Sequence, residues 1–342
     1  MKKVLCVFLA SLLLLASLAA CGNGGSSSPA ASEQTFVLRS GTPTVLPNPQ
    51  SFMLEEVQTR VEALTDRITV EVYQAGTLGT NAQMIQGLQD GSIQAAVFPV
   101  NWYEASIPEF GVLGMPALFD SGAHAYEVII KDGSRVGELL SQYAESRGFT
   151  IACWMVASDV KLLSIKPIEK YEDLKGLRVW CLPDSNVIAT LNAMGMVPLN
   201  FDVGDLAVGL QQGTVDAAYT TLPLFMTQRL FESAPYFVDF SGVNYNIAAY
   251  MMSKSWVDSL PADLRELLLN EIKAAGYDAH RPNNNAFLDR AMNTCVEGGM
   301  VVYTPDEEFM SQVRAATATV AEEFLKKTPQ AQELYDAVLA AK

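Results

Sequence analysis

Leu18-Ala19-Ala20-Cys21 is the stretch whose residue types and spacing prescribe a covalent reaction. Lys2 and Lys3 precede an uncharged apolar run from Val4 through Ala20, the pattern of an export segment cut after small residues. A plain secretory cut needs no cysteine. Cys21 is therefore read as the acylated first residue of a mature lipoprotein, with residues 1–20 as its signal peptide. Behind it, residues 21–34 form a lipidated Gly/Ser-rich tether with too little apolar surface to pack and a mean reach of roughly 18 Å. The expected location is the extracytoplasmic face of the cell membrane, or the periplasm where an outer membrane is present. No second apolar run of about 20 residues follows, so the body itself is read as soluble.

Other reactive constellations are missing. The chain has 2 histidines, His124 and His280, and His280 has no second ligand at a metal-binding interval. There is no GxSxG elbow, Walker A loop, GxGxxG fingerprint, HExxH or paired CxxC. Acidic residues such as Glu55, Glu56, Glu266 and Glu271 are spread along helix faces as solvated charges. No catalytic residue, metal or cofactor is expected, and the chain is read as a non-enzyme.

Binding leaves a different trace, in which aromatic and neutral polar side chains gather at strand ends. In open α/β sheets ligands lie beyond the carboxyl ends of the strands. Four such ends stand out: Phe98-Pro99-Val100-Asn101-Trp102-Tyr103, Trp180, Tyr219-Thr220-Thr221 and Asn244-Tyr245-Asn246. Together they suggest a cleft lined by Phe98, Asn101, Trp102, Trp180, Tyr219, Thr220, Thr221, Tyr245 and Asn246.

The elements that must position these residues follow from pattern. Removing a 20-residue leader from 342 residues leaves 322, which suits two lobes better than one core. Loss of Lys2 and Lys3 takes the net charge from −15 to −17, which argues against nucleic acid or anionic lipid headgroups as partners. Cys153, Cys181 and Cys295 remain in the body, an odd number in apolar surroundings, read as buried thiols with a Cys153–Cys181 bridge as the lesser alternative. Gly87-Leu-Gln-Asp-Gly-Ser-Ile-Gln-Ala-Ala96 recurs as Gly209-Leu-Gln-Gln-Gly-Thr-Val-Asp-Ala-Ala218, each a helix stopped by glycine and followed by a short apolar strand. Helix-period residues Leu54, Val57, Val61 and Leu64 precede strand-period Ile68, Val70 and Val72. Further strands are predicted over 149–156, 177–182, 197–201, 246–253 and 300–303. Helices are predicted over 123–147, 185–193, 261–280, with Pro282 as a kink or stop, and 306–327. The fold class is α/β.

Several segments resemble the DctP-type solute-binding subunits of tripartite ATP-independent periplasmic (TRAP) transporters. They are Val72–Gly79 leading into Ala82–Gly91, Tyr171–Val179, Met194–Leu199 continuing through Leu210–Asp216, and Lys254-Ser-Trp256 with Leu260-Pro261. The resemblance implies a two-lobed periplasmic-binding-protein-like fold with hinge strands and a long linking helix, closing on a small organic solute delivered to TRAP membrane subunits. A ligand receptor feeding a membrane signalling protein is the alternative. The lobes are expected at 35–155 plus 247–288 and 156–246 plus 289–327, with 328–342 as a C-terminal tail. The family places a carboxylate-clamping arginine where this chain has Trp180, and a supporting asparagine where it has Thr220. An indole offers one N–H and no charge, so it cannot replace a guanidinium fork. The resemblance thus implies an aromatic wall at Trp180 and poor binding of short dicarboxylates. Arg178, two residues back on the same strand face, is the competing clamp, with Lys161 and Lys166 as weaker substitutes.

Overall fold

The computed structural model describes residues 34–341 apart from 132, so the signal peptide, Cys21 and nearly all of the tether lie outside the described residues. Strands with β-branched and aromatic residues build a mixed sheet: β1 (Phe36–Gly41), β2 (Ile68–Tyr73), β3 (Ala95–Pro99), β4 (Phe149–Ser164), β5 (Arg178–Cys181), β6 (Val197–Leu199), β7 (Ala217–Thr221), β8 (Tyr236–Val238), β9 (Tyr245–Ser253) and β10 (Val301–Tyr303). Their order is β2-β1-β3-β9-β4-β7-β5-β6, with β8 paired to β4 and β10 to β8. β1 to β3 are mutually parallel, and so are β5 to β7. The two long strands β9 and β4 run antiparallel between these sets. β4 pairs with β9 as far as Asp159, then with β7 from Val160, and a register shift falls between Val156 and Ser158. A strand that changes partner at a bulge is how one sheet serves two halves.

Each half is covered on both faces. In the first, Leu38, Leu54, Val57, Val61, Tyr250 and Leu268 pack on one side, and Met84, Leu88, Phe98, Phe110 and Leu140 on the other. In the second, Val179, Cys181, Tyr219 and Phe309 lie opposite Trp180, Leu210, Phe225 and Phe237. The echoed segments occupy equivalent places: the helix Asn81–Asp90 leads into β3 and the helix Leu206–Gln211 into β7.

The structure revises several sequence expectations. The helix predicted over 123–147 is two helices, Gly122–Ile130 and Arg135–Glu145, separated by a turn containing Gly133 at φ +77°. Pro282 does not stop its helix. The α-helix Ala262–Ala274 passes through a π-helical turn at Ala275–His280 and resumes as Arg281–Glu297, where Pro282 takes an early position whose missing N–H is tolerated. This continuous rod buries Leu264, Leu268 and Ile272 in the first half and Ala291 and Cys295 in the second. Gly276 permits its crossing, since a Cβ there would lie 2.2 Å from the Cys153 sulfur. The helix Glu307–Lys327 also crosses, with Phe309 and Val313 in the second half and Val320 in the first. Within the segment after 328, helix Gln332–Ala340 buries Leu334 and Val338 beside Leu140. Leu64, placed on the buried face by period, is exposed at the helix end.

Candidate functional site

The carboxyl ends of both parallel strand sets open on one cleft. From the first half come Pro99, which ends β3, and Val100, Asn101 and Trp102 of the 3-10 turn after it, with Phe110, Leu113 and Gly114. The second half supplies Leu182 and Asp184 after β5, Val187 on the following helix, and Tyr219, Thr220 and Thr221 ending β7. The long strands close the floor with Val160 of β4 and the run Asn244–Ile247 leading into β9.

Asn101, Trp102, Tyr219, Thr220, Thr221, Tyr245 and Asn246 are thus brought together as the sequence suggested. Phe98, Trp180 and Arg178 are not. Phe98 is fully buried and stacks on Tyr103 at 5.0 Å between ring centroids, one strand position too early to reach the cleft. Trp180 is 1% exposed and its indole N–H donates to the Phe201 carbonyl at 3.0 Å. It packs with Leu163, Leu210 and Phe225 in the layer beneath the sheet, so the aromatic wall is not at Trp180. Arg178 lies at the opposite end of β5, where its Nε and Nη2 donate to both oxygens of Asp216 at 3.0 and 2.8 Å. Those bonds hold the Asp216 carboxyl below its ordinary range, and the guanidinium does not reach the cleft. Lys161 is also occupied, donating to Asp159 at 2.9 Å, to Asp239, and to Ser241 at 2.7 Å.

Sequence reasoning missed Asp184. It caps the helix Ser185–Ala193, accepting from the backbone N–H groups of Asn186 at 2.8 Å and Val187 at 3.1 Å. Its other oxygen accepts from the Asn101 side chain across the cleft. Nearby, Asn186 donates to the Gly111 carbonyl at 3.0 Å, and Ser185 donates to Glu104 at 3.4 Å. The two halves therefore meet through polar contacts at the rim. Burial, and next the Asp184 carboxylate, push Glu104 up to about 7, against the Ser185 hydroxyl, which lowers it. The signal available in the sequence was an aspartate one residue before a predicted helix, just past a strand end.

Asn244 is also part of the site, but its amide is already engaged: it accepts from the Tyr219 hydroxyl at 2.8 Å and donates to the Gly114 carbonyl at 2.9 Å. The cysteines are buried in separate layers, Cys153 in the first half and Cys181 in the second, which rules out the bridge between them. Burial raises these thiols to about 12 and about 11, and Cys295 to about 11, which makes them unreactive. Among the described residues no group of three or more metal-ligating side chains gathers, and no helix is long and apolar enough to cross a membrane.

Residues 48–328 match the model of the bacterial extracellular solute-binding proteins, family 7, the DctP family. The chain belongs to that family. This DctP-family protein is 25% identical over 279 residues to the 2,3-diketo-L-gulonate-binding periplasmic protein YiaO of Escherichia coli K12, across 81% of this chain and 83% of that one. It is 21% identical over 281 residues to the ectoine/5-hydroxyectoine-binding periplasmic protein UehA of Ruegeria pomeroyi, across 82% of each. A TRAP periplasmic solute-binding protein from Sulfitobacter sp. NAS-14.1, solved with β-D-galacturonate, has the same fold with a TM-score of 0.79 at 23% identity, covering 88% of this chain and 99% of that one. Among curated relatives, the chain spans 39% of one and 83% of another. The two-lobed architecture expected from the resemblance is the one observed. Membership places the chain among extracellular solute-binding proteins.

Proposed function

We propose that the chain is the lipid-anchored receptor of a TRAP importer, held at the extracytoplasmic membrane face by acylated Cys21. It closes its lobes over a small solute and hands it to the membrane subunits. The lobes comprise 35–155 plus 247–288 and 156–246 plus 289–327, except that the end of helix Glu307–Lys327 from Val320 and the helix Gln332–Ala340 pack on the first, with the long strands β4 and β9 serving as hinge. One observation carries this reading: strand ends from both halves line a single cleft whose only covalent frame is the crossing segments. Such a frame lets the halves rotate while the cleft walls stay rigid. An enzyme of the acid–base kind would need a pair of titratable groups at those strand ends, and the lining offers the single carboxylate of Asp184 among hydroxyls, amides and apolar side chains.

Native mass spectrometry of the purified protein tests capture. A small organic molecule retained by wild type and lost from Thr220→Val with Asn246→Leu supports the reading; turnover of that molecule would sink it. Anchoring is tested by Cys21→Ser, which should leave uncleaved or mislocalised precursor. A wild-type mature N-terminus beyond Cys21, free of lipid, would disprove the anchor.

A further inference from the structure

Resting on the capture reading above, we infer that the buried end of the solute is a nitrogen cation of the ammonium or amidinium type, not a carboxylate. The charge distribution points that way first. Among the described residues lining the cleft, Asp184 is the one carboxylate, and no lysine, arginine or histidine stands with it. The basic side chains that a carboxylate would need are committed elsewhere: Arg178 to Asp216, and Lys161 to Asp159 and Asp239. A carboxylate drawn into this cleft would be desolvated without a cation and close to Asp184, which is strongly unfavourable.

The unfilled hydrogen-bonding positions point the same way. Asn246 Oδ1 is buried without a partner, and such an acceptor is costly to leave unmade; the Tyr245 hydroxyl, also buried without a partner, can accept as well as donate. The Thr220 side chain, 4% exposed, faces the same space. Asp184 already accepts two backbone N–H groups and the Asn101 amide, yet a carboxylate has about four acceptor positions, so one further donor fits. A cation carrying several N–H groups supplies donors for Asn246 and charge for Asp184, whereas a neutral solute supplies only donors. The remaining lining mixes aliphatic side chains with the aromatic residues Trp102, Phe110 and Tyr219, a ring type that attracts cations. That Glu104 is pushed up to about 7, in part by Asp184, fits a rim short of positive charge.

Three flat probes that differ in head group isolate the effect: benzamidine, benzamide and benzoate, joined by agmatine among cations and D-galacturonate and succinate among anions. Thermal shift and calorimetry on the mature protein should rank the cations first, with benzamidine at least about tenfold tighter than benzamide and benzoate without effect. Asp184→Asn keeps the helix cap, because asparagine caps as well as aspartate, and removes the charge, while the Asn101 amide must turn over to accept from the new Nδ2. It should weaken benzamidine about tenfold, leave benzamide within about twofold, and melt like wild type without ligand. An anion that binds as tightly as benzamidine overturns the proposal, as does an Asp184→Asn protein with unchanged cation affinity. Silence from every probe also overturns it, and the retained-solute measurement then decides separately whether capture stands.

Discussion

The two echoed units, 87–96 and 209–218, fold alike and are used differently. In each, a glycine carbonyl accepts from the N–H six residues on, Ile93 to Gly87 at 3.0 Å and Val215 to Gly209 at 3.4 Å, and a second glycine stands in the left-handed region. β3 and β7 then run parallel to one neighbour and antiparallel to a hinge strand. Beyond that the symmetry ends. The first unit feeds the cleft with the last residue of its strand, Pro99, and mainly through the turn after it, placing Trp102 there, whereas the second feeds it from the strand itself through Tyr219, Thr220 and Thr221. The second half also extends its neighbouring strand β5 to Leu182 and Asp184, while no residue following β1 lines the cleft. Shared topology fixes where a site forms, and the residues just past each strand decide what it binds.

The largest test of that contrast sets one tryptophan against the other. Trp180 is core, so Trp180→Ala should cost about 3–5 kcal/mol of stability by urea melting. Trp102 is partly buried beside Phe98, at 5.5 Å between ring centroids. Trp102→Ala should cost only about 1 kcal/mol of stability while weakening a bound solute by about 2 kcal/mol, roughly thirtyfold. Equal stability losses, or a Trp180→Phe variant that melts normally and loses its solute, would reverse the assignment of the two rings.

Why the sequence favoured the wrong tryptophan is physical. β5 has only four residues and both its faces are covered, so Val179 and Cys181 enter one apolar layer and Trp180 the other. On such a strand apolar alternation does not reveal which face meets the ligand. The echoed units were legible because glycine and helix period mark their ends, and β7 was legible because hydroxyls beside an aromatic are unusual at a strand end. Asp184 was hidden because a lone aspartate before a helix reads as a cap, which it also is. The rod through Pro282 was hidden because the π turn that accommodates proline has no residue signature, and the cap positions of Pro261 and Pro282 look alike in one dimension.

The halves also differ in what they bring to the rim, and pH should expose this. Glu104 of the first half faces Asp184, the Ser185 hydroxyl and the Asn186 amide of the second. Its carboxyl is raised from 4.5 to about 7, so the folded protein holds that proton more tightly than the unfolded chain does. The stabilisation is complete below about pH 4.5 and is lost as pH rises through about 7. Glu104→Gln cannot ionise and should be more stable than wild type at pH 8 by about 2–3 kcal/mol, with the difference vanishing near pH 4.5. Melting both proteins across that range measures it. A constant difference would mean that the carboxyl titrates normally and that the rim lacks the negative potential argued for it.

The smallest effect separates the echoed glycines themselves. Gly91 and Gly213 have φ +82° and +69°, where any Cβ strains the backbone by about 1–2 kcal/mol. Gly213 has nothing within 4 Å of an added Cβ, so Gly213→Ala should pay that strain and no more. At Gly91 the Cβ would stand 3.1 Å from the Ser255 hydroxyl, itself hydrogen-bonded to Ser253 at 3.1 Å. Gly91→Ala must therefore also displace Ser255 and loosen that bond, adding about 0.5–1 kcal/mol. Ser255→Ala in the Gly91→Ala background removes the obstructing oxygen and should recover part of the excess, while in wild type it only loses the bond. Urea melts of the four variants form the cycle. If Gly213→Ala costs as much as Gly91→Ala, the two turns are equivalent in energy as well as in shape, and the asymmetry between the lobes begins only beyond the strands.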